Sequence, residues 1–371
     1  MKLAEITLRI LRLPLIRPYV LSYHTYTEFE PIIVEARDGD GRVGWGEGHI
    51  SPGSSSETHA GGWAFCREHA QAVVGKDTGA AKATIGAHAG ASKVAATALI
   101  TAIEMLEDHP ALRIEREARL PLLTPFNSSA PEEIAAEVER RLEEGFRTFK
   151  IKVGKDADAD ARRVTAIQQA IAGRATMRID ANRGFSEDDA CRFAAALDPA
   201  GIELFEQPCE ADDWDANAKV AAVSPVPVML DEPICAVADI ERAGGMRNVG
   251  FCKLKLKRFG GLALLEQALA AVRAHGMEPV LGDGLGTELS CWMEACVAIR
   301  TIRNAGEFNG FLKPKLRLLR EPLRFAAGEL VLSPGFRPTL DPGVLAANEI
   351  ARERIKPAVV TMLSNAGTDA A

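Results

Sequence analysis

Three acidic residues each end a short apolar run, and their spacing is the feature that most limits how this chain can fold. They are Asp180 in MRIDAN, Glu206 in IELFEQP and Asp231 in PVMLDEP, about 25 residues apart. Helix-like segments separate the runs, a pattern typical of consecutive βα units in a parallel barrel. The sequence therefore predicts an α/β fold in which three neighbouring strands end in one carboxylate each.

These carboxylates predict a metal site. Neighbouring strands lie about 4.8 Å apart, so the three side chains are expected to converge at the C-terminal mouth of the barrel, where they would repel one another. A hard divalent cation removes that repulsion, and the set suits Mg²⁺, with Mn²⁺ as a substitute. The alternative is that each acid only caps the following helix, which explains one site more easily than three in succession.

Lysines flank the proposed metal site on both sides. Lys150 and Lys152 are two residues apart in TFKIKVG, so both side chains leave the same face of a strand. Downstream, GFCKLKLKRFGGL repeats the pattern with Lys253, Lys255 and Lys257. A lysine buried beside another cation and Mg²⁺ has a lowered pKa, and its neutral amine can act as a general base. The alternative is a solvated row of lysines, against which the apolar alternation around them argues.

The order of these motifs resembles the enolase superfamily, specifically the muconate lactonizing enzyme subgroup of its mandelate racemase/muconate lactonizing enzyme family. The resemblance rests on KxK, DAN, EQP, DEP and a lysine five residues before a GG pair. It extends to GWGEG at residues 44–48 and SPGFRPTLDPG at residues 333–343, which look like parts of that family's capping domain. The resemblance implies a modified TIM (β/α)7–8 barrel with an α+β cap.

The resemblance also implies a role for each motif residue. Asp180, Glu206 and Asp231 match the metal ligands of the family. Lys152 matches the base on one face of the substrate and Lys255 the base on the other. The register of the second base among the three downstream lysines stays open.

Further residues are expected to contact the substrate or to support the site. Lys150 matches a lysine that assists its neighbour electrostatically and binds the substrate carboxylate. The other candidates are Asn182, Glu232, Lys253, Asp283 and Lys313. For Lys313 two positions remain open, a further cation at the end of the eighth strand and ordinary solvated surface.

Departures from the family pattern narrow the chemistry. Asp283 and Gly286 stand where muconate-type enzymes often have a serine and a glutamate, and Glu288 is expected in the first turn of the next helix. The FNGFLKPKLRLL segment lacks the aspartate-rich motif with which dipeptide epimerases of this family hold an amino terminus, so a dipeptide substrate is disfavoured. His275 is expected to end a helix, which disfavours a mandelate racemase-type histidine base.

The predicted function is Mg²⁺-dependent abstraction of the proton α to a carboxylate through a metal-stabilised enediolate. The expected enzyme is a racemase, epimerase or cycloisomerase acting on a small carboxylic acid. A dehydratase acting on an acid sugar or hydroxy acid through the same site is the alternative. A non-catalytic metal-binding scaffold is a more remote one.

The length of 371 residues, 47% of them hydrophobic, suits one barrel of about 250 residues with a smaller domain. We expect the cap at 1–118, the barrel at 119–320, a return to the cap at 321–356 and a flexible tail at 357–371. The predicted barrel strands lie near residues 119–126, 148–153, 176–181, 202–206, 226–231, 250–256, 278–283 and 308–313.

The remaining features concern partners and location. A net charge of −7 without a basic patch argues against nucleic acid, and no apolar run of about 18 residues suggests a membrane span. Seven cysteines without a CxxC pair are typical of a reduced cytoplasm, and a homo-oligomer is expected. A cap loop at residues 49–63 is expected to be mobile, and His49, His59 and Tyr23 are candidate specificity contacts, with simple surface exposure as the alternative.

Overall fold

The computed structural model describes residues 1–21, 24–53 and 55–357. The chain opens with five strands and three helices that build most of the cap. They are β1 (Leu3–Leu11), β2 (Leu13–Val20), β3 (Thr25–Phe29), β4 (Ile32–Asp38), β5 (Val43–Gly48), α1 (His59–Val73), α2 (Thr78–His88) and α3 (Lys93–Leu106).

Alternating strands and helices follow. They are β6 (Ala118–Pro121), β7 (Thr124–Phe126), α4 (Pro131–Glu143), β8 (Thr148–Lys152), α5 (Ala157–Ile171), β9 (Thr176–Asp180), α6 (Glu187–Ala195), β10 (Ile202–Glu206), α7 (Trp214–Val223), β11 (Val228–Leu230), α8 (Val237–Gly244), β12 (Val249–Leu254), α9 (Leu256–Phe259), α10 (Leu262–Ala274), β13 (Glu278–Leu281) and α11 (Glu288–Thr301). The last elements are β14 (Arg324–Ala326), β15 (Glu329–Leu332), α12 (Pro342–Asn348) and β16 (Glu349–Ile355).

The cap is built around an antiparallel sheet in the order β16-β1-β4-β5. The hairpin expected around the DGDG turn is confirmed by the pairing of β4 with β5. Alternation along the strands turns Leu8, Val34 and their apolar neighbours toward α1, α2 and α3, where they form a separate hydrophobic core. The opposite face of this sheet carries charged side chains.

The portion that follows the cap contains a parallel sheet in the order β7-β8-β9-β10-β11-β12-β13, so strands that follow one another in sequence are neighbours in space. Register aligns the strand ends, because Lys152 pairs with Asp180 and Asp180 pairs with Glu206. Glu206 in turn pairs with Met229, two residues before Asp231. The sheet therefore carries the predicted site residues to one edge, which confirms the α/β barrel-type fold.

The prediction for the eighth strand is wrong in position. Residues 310–312 form a 3₁₀ turn, and the chain closes the sheet a few residues earlier. Gly306 N–H donates to Pro121 at 2.9 Å on one side, and Glu307 N–H donates to Leu281 at 2.9 Å on the other. Gly282 allows this close approach, since its φ is +117° and a Cβ there would lie 2.4 Å from Phe308 N.

The other predicted strands agree with the structure to within a few residues, except that the first splits into two. β6 pairs with β15 outside the barrel, whereas β7 pairs with β8 inside it. Of the predicted tail, all but Pro357 lies outside the described residues. A search of the described part of the chain finds no helix that combines the length and apolarity needed to span a membrane.

Candidate active site

Three buried carboxylates lie at the C-terminal ends of consecutive strands. Asp180 ends β9, Glu206 ends β10 and Asp231 follows β11, and their exposed fractions are 0%, 0% and 3%. Strand register places Asp180 directly beside Glu206. The three strand ends therefore lie side by side at the barrel mouth, and the close convergence of the three carboxylates stays a prediction.

Glu206 is the carboxylate whose charge the protein compensates least. Its ionic contact is with Lys150, whose Nζ lies 2.8 Å from Oε2, and its buried oxygens have no further hydrogen-bond donor in the described structure. Burial, followed by the charge of Asp180, raises the pKa of Glu206. Carboxylate oxygens without hydrogen-bond partners in a buried pocket are what a hard divalent cation satisfies.

The other two carboxylates are turned toward cationic side chains. As they stand, no three His, Cys, Asp or Glu side chains in the described ranges are grouped closely enough to hold a metal ion. The donor chemistry nevertheless fits Mg²⁺, because all three candidates supply oxygen and are buried together at one edge of the sheet.

Lys150 is at the centre of the charged cluster. Its Nζ lies 2.9 Å from Asp180 Oδ2, 2.8 Å from Glu206 Oε2 and 2.9 Å from Glu307 Oε1. Burial lowers the pKa of this lysine, but Asp180 and Glu206 outweigh burial and raise it well above its usual value. Lys150 is therefore an ammonium ion that holds the carboxylates together.

Lys152 leaves the same strand two residues later and is about one third exposed at its side chain. Its Nζ contacts Asp180 Oδ2 and donates to the amide oxygen of Asn182. Asn182 and Arg183 adopt left-handed φ values of +44° and +67° directly after the strand. Such strained backbone is often found at functional sites, and here it brings the Asn182 amide to the lysine.

Lys255 lies on the opposite side of the carboxylates. Its Nζ is 2.9 Å from Asp231 Oδ2 and 3.5 Å from Asp283 Oδ1. Arg258 Nη1 lies 2.8 Å from the other Asp231 oxygen. Together these cations hold the pKa of Asp231 well below its usual range although burial opposes this.

The three downstream lysines do not share one strand face as predicted. The strand ends at Leu254, so Lys255 is at the N-terminal boundary of α9 and Lys257 lies within that helix. Lys253 is fully buried inside the barrel and forms an ion pair with Glu307. Of the three, Lys255 alone forms an ion pair with a candidate metal ligand in the described structure, namely Asp231, and its assignment as the second base stays a prediction.

Lowered lysine pKa values are predicted beside bound Mg²⁺, and the carboxylates around Lys150 and Lys255 act in the opposite direction. Burial lowers the pKa of Lys255, but the charges of Asp231 and Asp283 raise it above the ordinary value. The direction is as expected for Lys257, where burial outweighs the nearby Asp283.

The remaining predicted site residues surround this cluster. Asp283 follows β13 and contacts both Lys255 and Lys257, whose charges lower its pKa against the effect of burial. Glu232 is buried next to Asp231, and burial together with that charge raises the pKa of Glu232 to about 7. Its Oε1 lies 3.5 Å from Arg183 Nε.

Lys313 points inward and is not ordinary solvated surface, while its contact with a substrate stays a prediction. Its Nζ donates to the Gly284 carbonyl at 2.5 Å and to Asn309 Oδ1 at 3.1 Å, and it lies 4.5 Å from the centre of the Tyr19 ring. Burial lowers the pKa of Lys313 to about 8. This lysine thus adds a partly desolvated cation to the segment that follows the seventh strand.

The cap contributes two buried side chains to the same region. Glu47 accepts hydrogen bonds from Thr287 N–H and Oγ1, both at 2.7 Å, which fixes the start of α11 against β5. His49 packs against Tyr26 and Phe29, while Lys257 contacts its backbone carbonyl. The predicted contact His59 instead begins α1, and Tyr23 lies outside the described residues.

Sequence reasoning missed Glu307, Gln207 and Arg258. Because the predicted eighth strand begins at residue 308, Glu307 lies outside that strand and outside the segment searched for an aspartate-rich motif. Gln207 adopts φ +38° after β10, and its Oε1 accepts the Asp231 N–H at 2.9 Å. The EQP and KRFGG motifs contained Gln207 and Arg258, but only their contacts with Asp231 reveal a positioning role.

A parallel barrel whose mouth carries buried carboxylates and lysines places this chain in the class of α/β-barrel enzymes. Residues 133–343 match the model of the Enolase C-terminal domain-like family. That match covers more than half of the 371 residues, and the chain belongs to this family.

Similar proteins of known activity are isomerases. The L-Ala-D/L-Glu epimerase of Bacillus subtilis (strain 168) is 29% identical over 304 residues, which cover 78% of this chain and 82% of that protein. Muconate cycloisomerase 1-2 of Acinetobacter lwoffii is 27% identical over 398 residues, which cover 97% and 98%. These names confirm the expected class, an isomerase of the enolase superfamily.

Solved structures confirm the fold. The dipeptide epimerase from Cytophaga hutchinsonii, complexed with Mg and the dipeptide D-Ala-L-Val, superposes with a TM-score of 0.87 at 21% identity, covering 96% of this chain and 100% of that one. The muconate lactonizing enzyme from Pseudomonas fluorescens, complexed with muconolactone, gives 0.85 at 25% identity, covering 94% and 99%. The barrel and its cap are thus common to enzymes with different substrates.

Proposed function

We propose that this protein is a Mg²⁺-dependent racemase or epimerase that removes the proton α to a carboxylate and returns a proton from the opposite face. Lys152 and Lys255 are the two proposed bases. Asp180, Glu206 and Asp231 are the proposed metal ligands, and Lys150 is the proposed contact for the substrate carboxylate.

The order of the strands is the observation that carries this proposal. Along the sheet the side chains follow the order Lys152 on β8, Asp180 on β9, Glu206 on β10, Asp231 after β11 and Lys255 after β12. Each lysine contacts the outer carboxylate on its own side, Asp180 or Asp231. A substrate held over the central carboxylate would therefore have one amine on each face.

The metal would supply electrostatic stabilisation of the negative charge that develops on the substrate carboxylate. The chain's own residues would do the rest. Lys152 would take or give the proton at its Nζ on one face, and Lys255 at its Nζ on the other. Asn182 and Arg258 would position them, Asn182 by its contact with Lys152 and Arg258 by fixing Asp231.

Cations around the barrel mouth favour a small carboxylic acid with a second anionic or hydroxyl group. Lys313 and Lys257 add positive charge on the side of the seventh strand. Glu307, the acid nearest the eighth-strand position, is already paired with Lys150 and Lys253. At the eighth-strand position of the described structure, the ammonium group of a dipeptide would meet no unpaired carboxylate. We therefore rank dipeptides below small carboxylic acids as substrates.

Hydrogen exchange in D₂O tests the proposal most directly. The enzyme with Mg²⁺ would be incubated with enantiomerically pure mono- and dicarboxylic acids, N-succinyl amino acids and dipeptides. We expect α-deuterium by mass spectrometry in one of the small acids, accompanied by loss of optical purity. Efficient epimerisation of a dipeptide would overturn the substrate assignment, and exchange without inversion would overturn the two-base mechanism.

A cycloisomerase is the second candidate. The muconate cycloisomerase of Acinetobacter lwoffii aligns over 97% of this chain, whereas the Bacillus subtilis epimerase aligns over 78%. Asp283 and Gly286 stand at the positions where muconate-type chemistry would favour other residues, so we rank this candidate second. The same D₂O screen, extended to unsaturated diacids, would detect lactone formation, and loss of water from a hydroxy acid would identify a dehydratase.

We further propose that Mn²⁺ can replace Mg²⁺, since both ions accept oxygen ligands in octahedral geometry. A cytoplasmic location is supported by the cysteines, because all seven are thiols without a disulfide. A homo-oligomer remains a prediction that light scattering would test.

A further inference from the structure

A cleft of about 610 Å³ lies on the cap, on the charged face of the sheet formed by β16, β1, β4 and β5. The strands form its floor, and the chain around Arg337–Leu345 lines it as well. This face is directed away from the helices of the cap, whose core lies on the apolar side of the same strands. The cleft is separate from the barrel mouth, since none of the proposed ligands or bases lines it.

Positive charge exceeds negative charge among the side chains that line the cleft. Glu5 and Glu35 are its two acids. Its six arginines are Arg9, Arg37, Arg320, Arg337, Arg352 and Arg354. This excess is local, because the whole chain has a net charge of −7.

Four of these arginines have acidic partners. Arg354 binds both oxygens of Glu5 at 2.6 Å, and Arg37 pairs with Glu35. Arg9 lies between two acids, 2.8 Å from Glu35 and 3.2 Å from Glu349. The fourth, Arg337, pairs with Asp108 at 3.3 Å.

Arg320 and Arg352 are the other two arginines that line the cleft. Within residues 1–21, 24–53 and 55–357, neither guanidinium group has an ion pair or a side-chain hydrogen bond. In addition, Arg9 Nη1 is buried and donates no hydrogen bond, although it is close to Glu35. A buried guanidinium nitrogen that makes no hydrogen bond is costly unless a further acceptor is supplied. The cleft therefore offers both unpaired charge and an unused buried donor.

We propose that this cleft binds a small multivalent anion of the phosphate or polycarboxylate class, with Arg320 and Arg352 as its principal contacts. Guanidinium groups match the geometry of phosphate and carboxylate oxygens and can bind them in a bidentate manner. The cleft is wide enough for a phosphorylated or polycarboxylic metabolite. The site is distinct from the proposed reaction centre and does not depend on the proposed reaction.

Calorimetric titration at low ionic strength tests the proposal, with inorganic phosphate in one arm and citrate in the other. The protein would be the full chain without added Mg²⁺, so that citrate stays a free anion and no heat of metal chelation contributes. We expect saturable binding of at least one anion. The double variant Arg320→Gln/Arg352→Gln should weaken that binding by roughly tenfold or more, because two charge-assisted contacts are removed.

The matched control is Arg247→Gln/Arg303→Gln, which removes the same charge from two exposed arginines outside the cleft. It should bind the anion as the unaltered protein does. Equal weakening in both double variants, unchanged binding in the cleft variant, or no binding of either anion would overturn the proposal. Because Arg320 and Arg352 are exposed and form no ion pair or side-chain hydrogen bond in the described structure, both variants should fold, which circular dichroism would verify.

Discussion

Lys150 Nζ lies 2.8 Å from Glu206 Oε2, and both side chains are almost completely buried. The contact joins the central carboxylate of the site to the lysine two residues before the proposed base Lys152. The buried Glu206 oxygens have no further hydrogen-bond donor in the described structure, so the carboxylate retains its capacity to bind a cation. This pair links the proposed metal site to the proposed carboxylate contact.

Replacing Glu206 with Gln should weaken Mg²⁺ binding strongly and abolish turnover while the fold is retained. The change removes one of three anionic oxygen donors and keeps the side-chain volume, so packing should not suffer. Calorimetric titration with Mg²⁺ measures the effect independently of activity. Glu241→Gln, an exposed site with no ion pair in the described structure, is the control. Mg²⁺ affinity equal to that of the unaltered protein would exclude Glu206 as a ligand.

The two proposed bases should act on opposite faces of the substrate. Lys152→Ala should block exchange of the α-proton from one enantiomer, and Lys255→Ala should block exchange from the other. General bases typically contribute a factor of about 10² to 10⁴, so the loss should be clear by mass spectrometry in D₂O. Lys155→Ala, at an exposed position on the same βα loop, should leave exchange unchanged. Exchange that survives Lys255→Ala but not Lys253→Met would place the second base two residues earlier.

The buried ion pair of Lys253 and Glu307 should stabilise the barrel, and the contribution of each side chain to stability should depend on the presence of the other. Lys253→Met removes one partner and leaves part of the Glu307 charge uncompensated, a change that typically costs about 3–5 kcal/mol. The double variant Lys253→Met/Glu307→Gln should lose less stability than the two single losses combined. Denaturant unfolding of all four proteins completes the cycle. Strict additivity would show that the two side chains act independently.

Glu294 should make stability fall as the pH rises. It is a buried acid whose carboxylate oxygen accepts the Leu256 N–H at 3.0 Å, and burial raises its pKa to about 8. Between the unfolded pKa of about 4.3 and the folded value, the unfolded chain has released the proton that the folded chain still holds. Fewer protons are bound in the unfolded state, so the free energy of unfolding decreases as the pH rises through this window.

Glu294→Gln should remove most of that pH dependence, because the amide oxygen can still accept the Leu256 N–H without ionising. The difference in free energy of unfolding between Glu294→Gln and the unaltered protein should grow by roughly 1.4 kcal/mol for each pH unit between the unfolded and the folded pKa of Glu294. Urea unfolding at pH 5.5 and pH 8 measures it, with Glu241→Gln as the control. If the unaltered protein and Glu294→Gln have parallel stability curves, Glu294 does not carry this proton.

The sequence predicts the fold where the apolar pattern of each segment and the order of the segments along the chain indicate the same structure. Apolar runs ending in Asp180, Glu206 and Asp231 specify strands, and parallel connections place their ends at one edge of the sheet. The same reasoning located Lys152 and Lys255 on either side of the carboxylates. These features depend on spacing along the chain, which is visible without coordinates.

What only the tertiary structure decided is which charges meet. Glu307 reaches Lys150 and Lys253 from more than 50 residues away, and its position depends on where the chain closes the barrel. The end of β12 at Leu254 separates Lys253 inside the barrel from Lys257 on α9. The pKa of a buried lysine depends on the balance between desolvation and all carboxylates around it. That balance is a property of three-dimensional packing, whereas the strand ends that bring the groups together can be predicted from the sequence.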